Sequence, residues 1–239
     1  MGVVDRLASW WLKRFRLRQG LMRHQGEDGS HWVTVAGQRS FLHVGCGGSY
    51  KQHTVPGFMG EDWREIRLDM DAAVQPNIVA SMTDMAVVPD GVVDAIFSSH
   101  NIEHLYPHEV PQALAEFYRV LKPDGFLVLT CPDLQSLCRL VADDKLDEPA
   151  YLTLSGQPIT PLDVLYGLRS SMASGNLFMA HHCGFTQRTL MASARDAGFK
   201  IGHSLQRPAA FDLWLLTFKN EVSMDQLMQQ VRLFLPVQE

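Results

Sequence analysis

Short apolar runs broken by polar and glycine-rich stretches dominate the middle of the chain. Phe41-Leu42-His43-Val44 is mostly apolar and stops at Gly45-Cys46-Gly47-Gly48, the pattern of a strand entering a tight turn. Glu65–Asp69, Asn77–Ala80 and Val92–Phe97 are three further strand-like runs. Val110, Leu114, Phe117 and Leu121 then recur at helical spacing, with Pro111 tolerated in the first turn. Lys122-Pro123-Asp124-Gly125 ends that helix, and Phe126–Thr130 is a fifth strand. Strands alternating with helices predict an α/β fold with a mostly parallel sheet covered on both faces.

Beyond Pro132 the pattern loosens. Leu134–Val141 predicts a helix, whereas Asp143–Pro161 holds three prolines and a glycine and shows no periodicity. Leu162–Gly167 reads as a helical turn. Gln187–Ala197 reads as a helix with Thr186 at its start and Gly198 just past its end. Phe199–His203 and Phe211–Phe218 predict the last two strands, and Met224, Leu227, Met228 and Val231 mark a closing helix. The organisation expected is a basic extension over 1–36 and one domain over 37–239, with an insertion over about 134–185.

Composition narrows the class. At 239 residues and 46% hydrophobic, the chain can bury one full core. A net charge of −5 provides no cationic field for gripping nucleic acid, so none is expected as a partner. Cys46, Cys131, Cys138 and Cys183 are scattered, as reduced thiols of a cytoplasmic protein would be. No apolar run approaches the roughly 20 residues of a spanning helix. Between Met1 and His24, however, six arginines and lysines face one acid and interleave with Leu7, Trp10, Trp11 and Phe15. Such a helix either packs its aromatic face on the domain or lies on anionic lipid at the inner membrane face.

The chemistry concentrates where strands end. Glycines after the first strand let the backbone approach a ligand where a β-carbon would collide. Asp69 ends the next strand about 20 residues on, where an acid can accept hydrogen bonds from both ribose hydroxyls. Asp71 is the second choice.

Strand, Gly45-Cys46-Gly47, strand-end Asp69, Ser81-Met82-Thr83-Asp84-Met85 and Val93–Phe97 followed by Ser98-Ser99-His100-Asn101-Ile102-Glu103-His104-Leu105 form an ordered series. With Tyr118–Gly125 before an apolar strand, the series resembles class I S-adenosylmethionine-dependent methyltransferases. The resemblance implies a Rossmann-like sandwich with a seven-stranded, mostly parallel sheet and an antiparallel last strand. It implies S-adenosylmethionine as cofactor, with Gly45, Cys46 and Gly47 at its amino-acid end and Asp69 on the ribose. Asp84 and the Met85 backbone would lie beside the adenine, and Ser99 and His100 below the reactive methyl. His43 stands where many relatives carry an acid for the cofactor's ammonium group.

Methyl transfer asks mainly for alignment and exclusion of water, with a general base where the nucleophile must lose a proton. His100 and His104 are the candidates near the fourth strand, His181 and His182 those in the insertion. Residues Tyr166, Leu177, Phe178, Met179 and the two insertion histidines suit an apolar pocket with a few polar groups for the acceptor. His100, Glu103 and His104 have the look of metal ligands, but no further ligand set is legible and no metal is expected. The acceptor expected is a small molecule, free or linked to lipid or glycan. Two alternatives stand: an NAD-dependent oxidoreductase, although Tyr50 occupies the third glycine position of its fingerprint, and a non-catalytic cofactor-binding relative.

Overall fold

The computed structural model describes residues 37–153 and 156–236. The N-terminal basic helix expected from the sequence lies outside them. Nine strands form: β1 Arg39–Val44, β2 Trp63–Asp69, β3 Ile78–Val79, β4 Val93–Ser99, β5 Leu121–Pro132, β6 Tyr151–Leu152, β7 Pro158–Ile159, β8 Ile201–Arg207 and β9 Asp212–Phe218. The helices are α1 Val110–Val120, α2 Leu134–Ala142, α3 Pro161–Tyr166, α4 Arg169–Ala173, α5 Gln187–Asp196 and α6 Met224–Phe234.

Seven strands make one sheet in the order β3-β2-β1-β4-β5-β9-β8. β1 pairs in parallel with both β2 and β4, and β9 alone runs antiparallel to its neighbours β5 and β8. This is the α/β sandwich that the alternation of elements predicts. Strand order reverses between β1 and β4, so their carboxyl ends flank the crevice where such sheets place ligands.

Alternation along the strands sorts the core into two layers. Leu42, Val44, Ile66, Leu68, Ile96, Leu127 and Leu129 face one way, toward Leu114 and Phe117 of α1 and Leu190 of α5. Phe41, Ala95, Phe97, Phe126 and Val128 face the other way, toward Phe58, Trp63 and Leu227 and Phe234 of α6. Phe58 is the centre of that second layer. Its ring lies 4.2 Å from that of Phe41 and 4.6 Å from that of Phe234.

The structure departs from the sequence expectation in four places. After Ser49, where the hydrophobic pattern marks no element, the chain makes two 3-10 turns, Lys51–His53 and Pro56–Phe58. Proline supplies no amide donor, and Gly57 packs so closely on Phe234 and the Leu233 carbonyl that a β-carbon would overlap both. β5 starts directly after α1, and Lys122–Gly125 forms an excursion within it: Val93 pairs with Leu121, but Ala95 with Phe126. Lys122 anchors the excursion on Asp94 at 2.8 Å. The region read as irregular carries the β6–β7 hairpin, whose two-residue strands are too short to show alternation. β8 runs on to Arg207, because that guanidinium pairs with Asp212 and lies 5.4 Å from the Trp214 ring.

Among the described residues no helix is long and apolar enough to cross a membrane. Truncating Phe58 to alanine should destabilise the fold by about 3–5 kcal/mol in urea denaturation, the scale for a buried phenylalanine. Phe178→Ser, at a side chain 58% exposed, should change stability by no more than about 0.5 kcal/mol.

Candidate active site at the carboxyl edge of the sheet

Gly45 and Gly47 both adopt left-handed backbone, φ +61° and +50°. At Gly45 a β-carbon would lie 2.3 Å from Nδ2 of Asn101. Asn101 is buried; its amide donates to the Val44 carbonyl at 2.6 Å, and its oxygen accepts from Ser98 Oγ at 2.5 Å. The end of β1 is thereby locked to the end of β4. At Gly47 no atom lies within 4 Å of the β-carbon position, so the loop presents bare backbone to open space. That is the cradle a nucleotide-type ligand requires.

Asp69 binds this loop from β2. One carboxylate oxygen accepts the Gly47 N–H at 2.8 Å and the other the Asp71 N–H at 2.9 Å. A carboxylate oxygen has two lone pairs, so each retains capacity for a ribose hydroxyl. Asp71 instead caps the turn Ala72–Val74 through the Ala73 N–H. Arg67, which sequence reasoning missed, is buried and spans both loops. Its guanidinium donates to the carbonyls of Gly47 at 2.5 Å, Ser49 at 3.0 Å and Gln75 at 3.0 Å, and lies 4.2 Å from the Tyr50 ring. An arginine between Ile66 and Leu68, next to a glycine turn, was the available signal.

His43 is buried on the aromatic side of β1, its Nδ1 2.6 Å from Glu65, whose other oxygen accepts the Lys51 N–H at 2.8 Å. It braces the segment after the glycine turn from beneath. Cys46 is buried as well, and burial pushes its thiol up to about 11. It is a neutral packing residue within the loop.

Met85 is held by α1. Its N–H donates to Glu116 of α1 at 2.6 Å and its side chain is fully buried in the core. Arg119 holds Glu116 in place at 2.6 Å. Asp84 is exposed, and the partly exposed Ser81, Met82 and Thr83 precede it in the same turn.

The fourth strand ends at Ser99, paired with Thr130. His100 follows with φ +50°, a strained conformation for a side chain-bearing residue and one that clusters at functional sites. Its half-exposed ring has Nδ1 3.7 Å from Glu103. Glu103 is 1% exposed, and neither of its oxygens has a hydrogen-bond partner. Burial alone would raise its pKa, yet the neighbouring His100 prevails and holds the carboxyl below its ordinary range. Burial likewise opposes charging His100, but Glu103 prevails and lifts that histidine above its usual value.

Segment 161–183 folds back onto the turn that holds Glu103. His181 is brought against His104, ring centroids 4.7 Å apart, by a fold-back in which His104 Nδ1 meets the Ala180 carbonyl at 3.1 Å and His181 Nδ1 that of Val164 at 2.6 Å. Burial pushes the pKa of His181 down, which favours the neutral ring. His182 goes elsewhere: its exposed ring stacks on Tyr106 at 4.2 Å, although its N–H donates to the Glu103 carbonyl at 2.8 Å. The two insertion histidines are therefore not a pair. The base of this segment is stiff, since Thr160 and Asp163 cap α3 and the Arg169 guanidinium holds the Asp163 carboxyl well below the carboxylate range.

Because Gly45 combines left-handed backbone with contact against Asn101, Gly45→Ala should cost about 2–5 kcal/mol of stability, the sum of backbone strain and overpacking. Gly48→Ala, with no atom near its β-carbon position, should stay within about 0.5 kcal/mol. Chemical denaturation of the two variants side by side checks this.

Comparison with known proteins agrees with the geometry. A family profile for the methyltransferase domain matches residues 42–129, the stretch from β1 to β5 that carries the glycine turn, Asp69 and the end of β4. A search of curated protein sequences finds no significant match. Among solved structures, a Pyrococcus horikoshii protein is 14% identical, with 76% of this chain and 82% of that one covered, at a TM-score of 0.51. A Listeria monocytogenes protein is also 14% identical, covering 80% of this chain and 95% of its own, at 0.50. An S-adenosylmethionine-dependent methyltransferase of Archaeoglobus fulgidus is 16% identical over 77% and 87%, at 0.48. At such identities the likeness is one of fold. The match identifies residues 42–129 as a methyltransferase domain, the stretch that carries the bare glycine turn and the acid that binds it.

Proposed function

We propose that the enzyme methylates a small-molecule acceptor seated between the end of β4 and the segment 161–183. One observation carries this reading. The insertion does not hang free but returns onto the turn Ile102–His104, with the N–H groups of His182 and Cys183 donating to the Glu103 carbonyl at 2.8 and 3.2 Å. That turn directly follows Ser98–Asn101, the stretch that holds Gly45. The glycine loop and segment 161–183 thus both meet the stretch after β4, as transfer of a methyl group between them requires.

In this reading the backbone of Gly45, Cys46 and Gly47 lines the amino-acid end of the cofactor, and Asp69 takes the ribose hydroxyls. Ser99 and His100 border the methyl group, with the His100 ring as a hydrogen-bonding contact for the acceptor. Ser81–Thr83 and Asp84 border the adenine. His43 and Arg67 touch no ligand; they hold the loops that do.

A lipid- or glycan-linked acceptor is a second reading, favoured by a specific feature. Tyr166, Leu177 and Phe178, all on segment 161–183, are 62%, 68% and 58% exposed, more apolar surface than a purely polar acceptor needs. The basic N-terminal segment would supply affinity for anionic lipid.

Asp69→Ala should weaken S-adenosylmethionine binding by about 1.5–3 kcal/mol, the scale for hydrogen bonds to a charged group, with Asp71→Ala costing far less. Equal losses would remove Asp69 from the ribose. Screening metabolite and lipid-linked pools for turnover, by release of S-adenosylhomocysteine and a methylated product, identifies the acceptor. With it in hand, Phe178→Ser should raise the acceptor KM while cofactor affinity changes by less than about 0.5 kcal/mol. A shift in cofactor affinity alone would put this segment on the wrong side of the pocket.

A further inference from the structure

Among the described residues no donor lies within hydrogen-bond distance of the Glu103 carboxylate, the nearest charged partner being His100 at 3.7 Å. Both of its carboxylate oxygens are buried and unpartnered. The Nδ1 atoms of His104 and His181 each face a backbone carbonyl, at 3.1 and 2.6 Å. A carbonyl only accepts, so each Nδ1 carries the ring proton and each Nε2 keeps its lone pair. One ligand atom from each of Glu103, His104 and His181 lies within 4.8 Å of the other two. A buried carboxylate and two imidazole lone pairs do not stabilise one another; they call for a cation between them.

We propose that Glu103, His104 and His181 bind one divalent transition-metal ion of the zinc type. Two imidazole nitrogens and one carboxylate oxygen suit zinc, cobalt or nickel, whereas magnesium and calcium favour all-oxygen sites. Bonds of about 2.0–2.1 Å put tetrahedral ligand atoms about 3.4 Å apart, so binding draws the three side chains inward. The carbonyls of Ala180 and Val164 are the outer partners that fix tautomer and ring orientation. Three protein ligands leave a coordination position open, the arrangement of sites that hold water or a substrate atom. The half-exposed His100 ring, 3.7 Å from Glu103, marks the accessible side. The ligands come from the turn after β4 and from the returning insertion, so the ion also ties that segment to the sheet. That the open position takes an oxygen or nitrogen of the acceptor rests on the acceptor site proposed above; the ion's binding does not.

The sequence hid this set because its third member lies far along the chain. Cys183 is close by, but its thiol donates to the Ile102 carbonyl at 3.5 Å, and burial pushes it up to about 11. It stays outside the ligand set. The competing occupant of the same space is a proton, carried by His100 and paired with Glu103.

The test uses the full-length protein, stripped with chelator and titrated with Zn2+ alone, then with Co2+ followed by visible absorption. The expected result is one ion per chain, a cobalt spectrum of a low-coordinate nitrogen–oxygen site, and a raised melting temperature. His104→Ala, His181→Ala and Glu103→Gln should each weaken binding at least 100-fold, and His108→Ala, at an exposed histidine, should not change it. Circular dichroism establishes that each variant is folded, and His181→Gln replaces any alanine variant that is not. Absence of stoichiometric Zn2+ binding by the wild-type chain overturns the proposal and leaves the proton as occupant. Binding that survives in folded His104 and His181 variants overturns it equally. Titration of S-adenosylhomocysteine in parallel separates the two readings: a chain that binds Zn2+ and no cofactor keeps this site and loses the methyltransferase function.

Discussion

The close approach of Gly45 to Asn101 governs the whole carboxyl edge of the sheet. Without a side chain at Gly45, the Asn101 amide reaches past the end of β1 to the Val44 carbonyl, while Ser98 holds the other side of the same amide. This single junction sets where the glycine loop leaves β1 and where the chain turns after β4. It also explains the strained His100, which sits between the junction and the last residue of the strand. On the far side of the loop Arg67 draws the carbonyls of Gly47 and Ser49 toward β2, and Asp69 takes the Gly47 N–H. A loop tied at three points keeps its backbone presented before any ligand arrives, and such pre-organisation lowers the entropic cost of binding.

The two halves of the site are built differently. The cofactor half is backbone: glycines, a strand-end acid and a turn, all within the stretch matched by the methyltransferase domain. The acceptor half, as proposed, is side chains of segment 161–183, which is fastened to Glu103 by main-chain hydrogen bonds. On the proposed reading, changes in this segment would redirect which acceptor enters without touching the glycine loop. This division fits a fold that hosts many specificities on one scaffold.

Local signals carried most of the fold. The glycine turn, the Thr186 cap of α5 and the amphipathic spacing of α1 each rest on residues within a few positions of one another, and each has its place in the structure. What depended on distant partners was not legible. Arg67 reads as a polar strand residue until four loop carbonyls are seen around it. Met85 sits in a motif, yet the Glu116 carboxylate 31 positions later claims its amide. His104 and the Ala180 carbonyl are 76 positions apart, so no spacing rule could join the His-x-x-Glu-His segment to the insertion.

The central claim is that this edge of the sheet is a methyl-donor site. Calorimetric titration of the purified chain with S-adenosylmethionine and, separately, with NADH tests it most directly. The account predicts one S-adenosylmethionine per chain at micromolar-scale affinity, about −8 kcal/mol, and no heat of binding from NADH. Saturable binding of NADH with none of S-adenosylmethionine would contradict it.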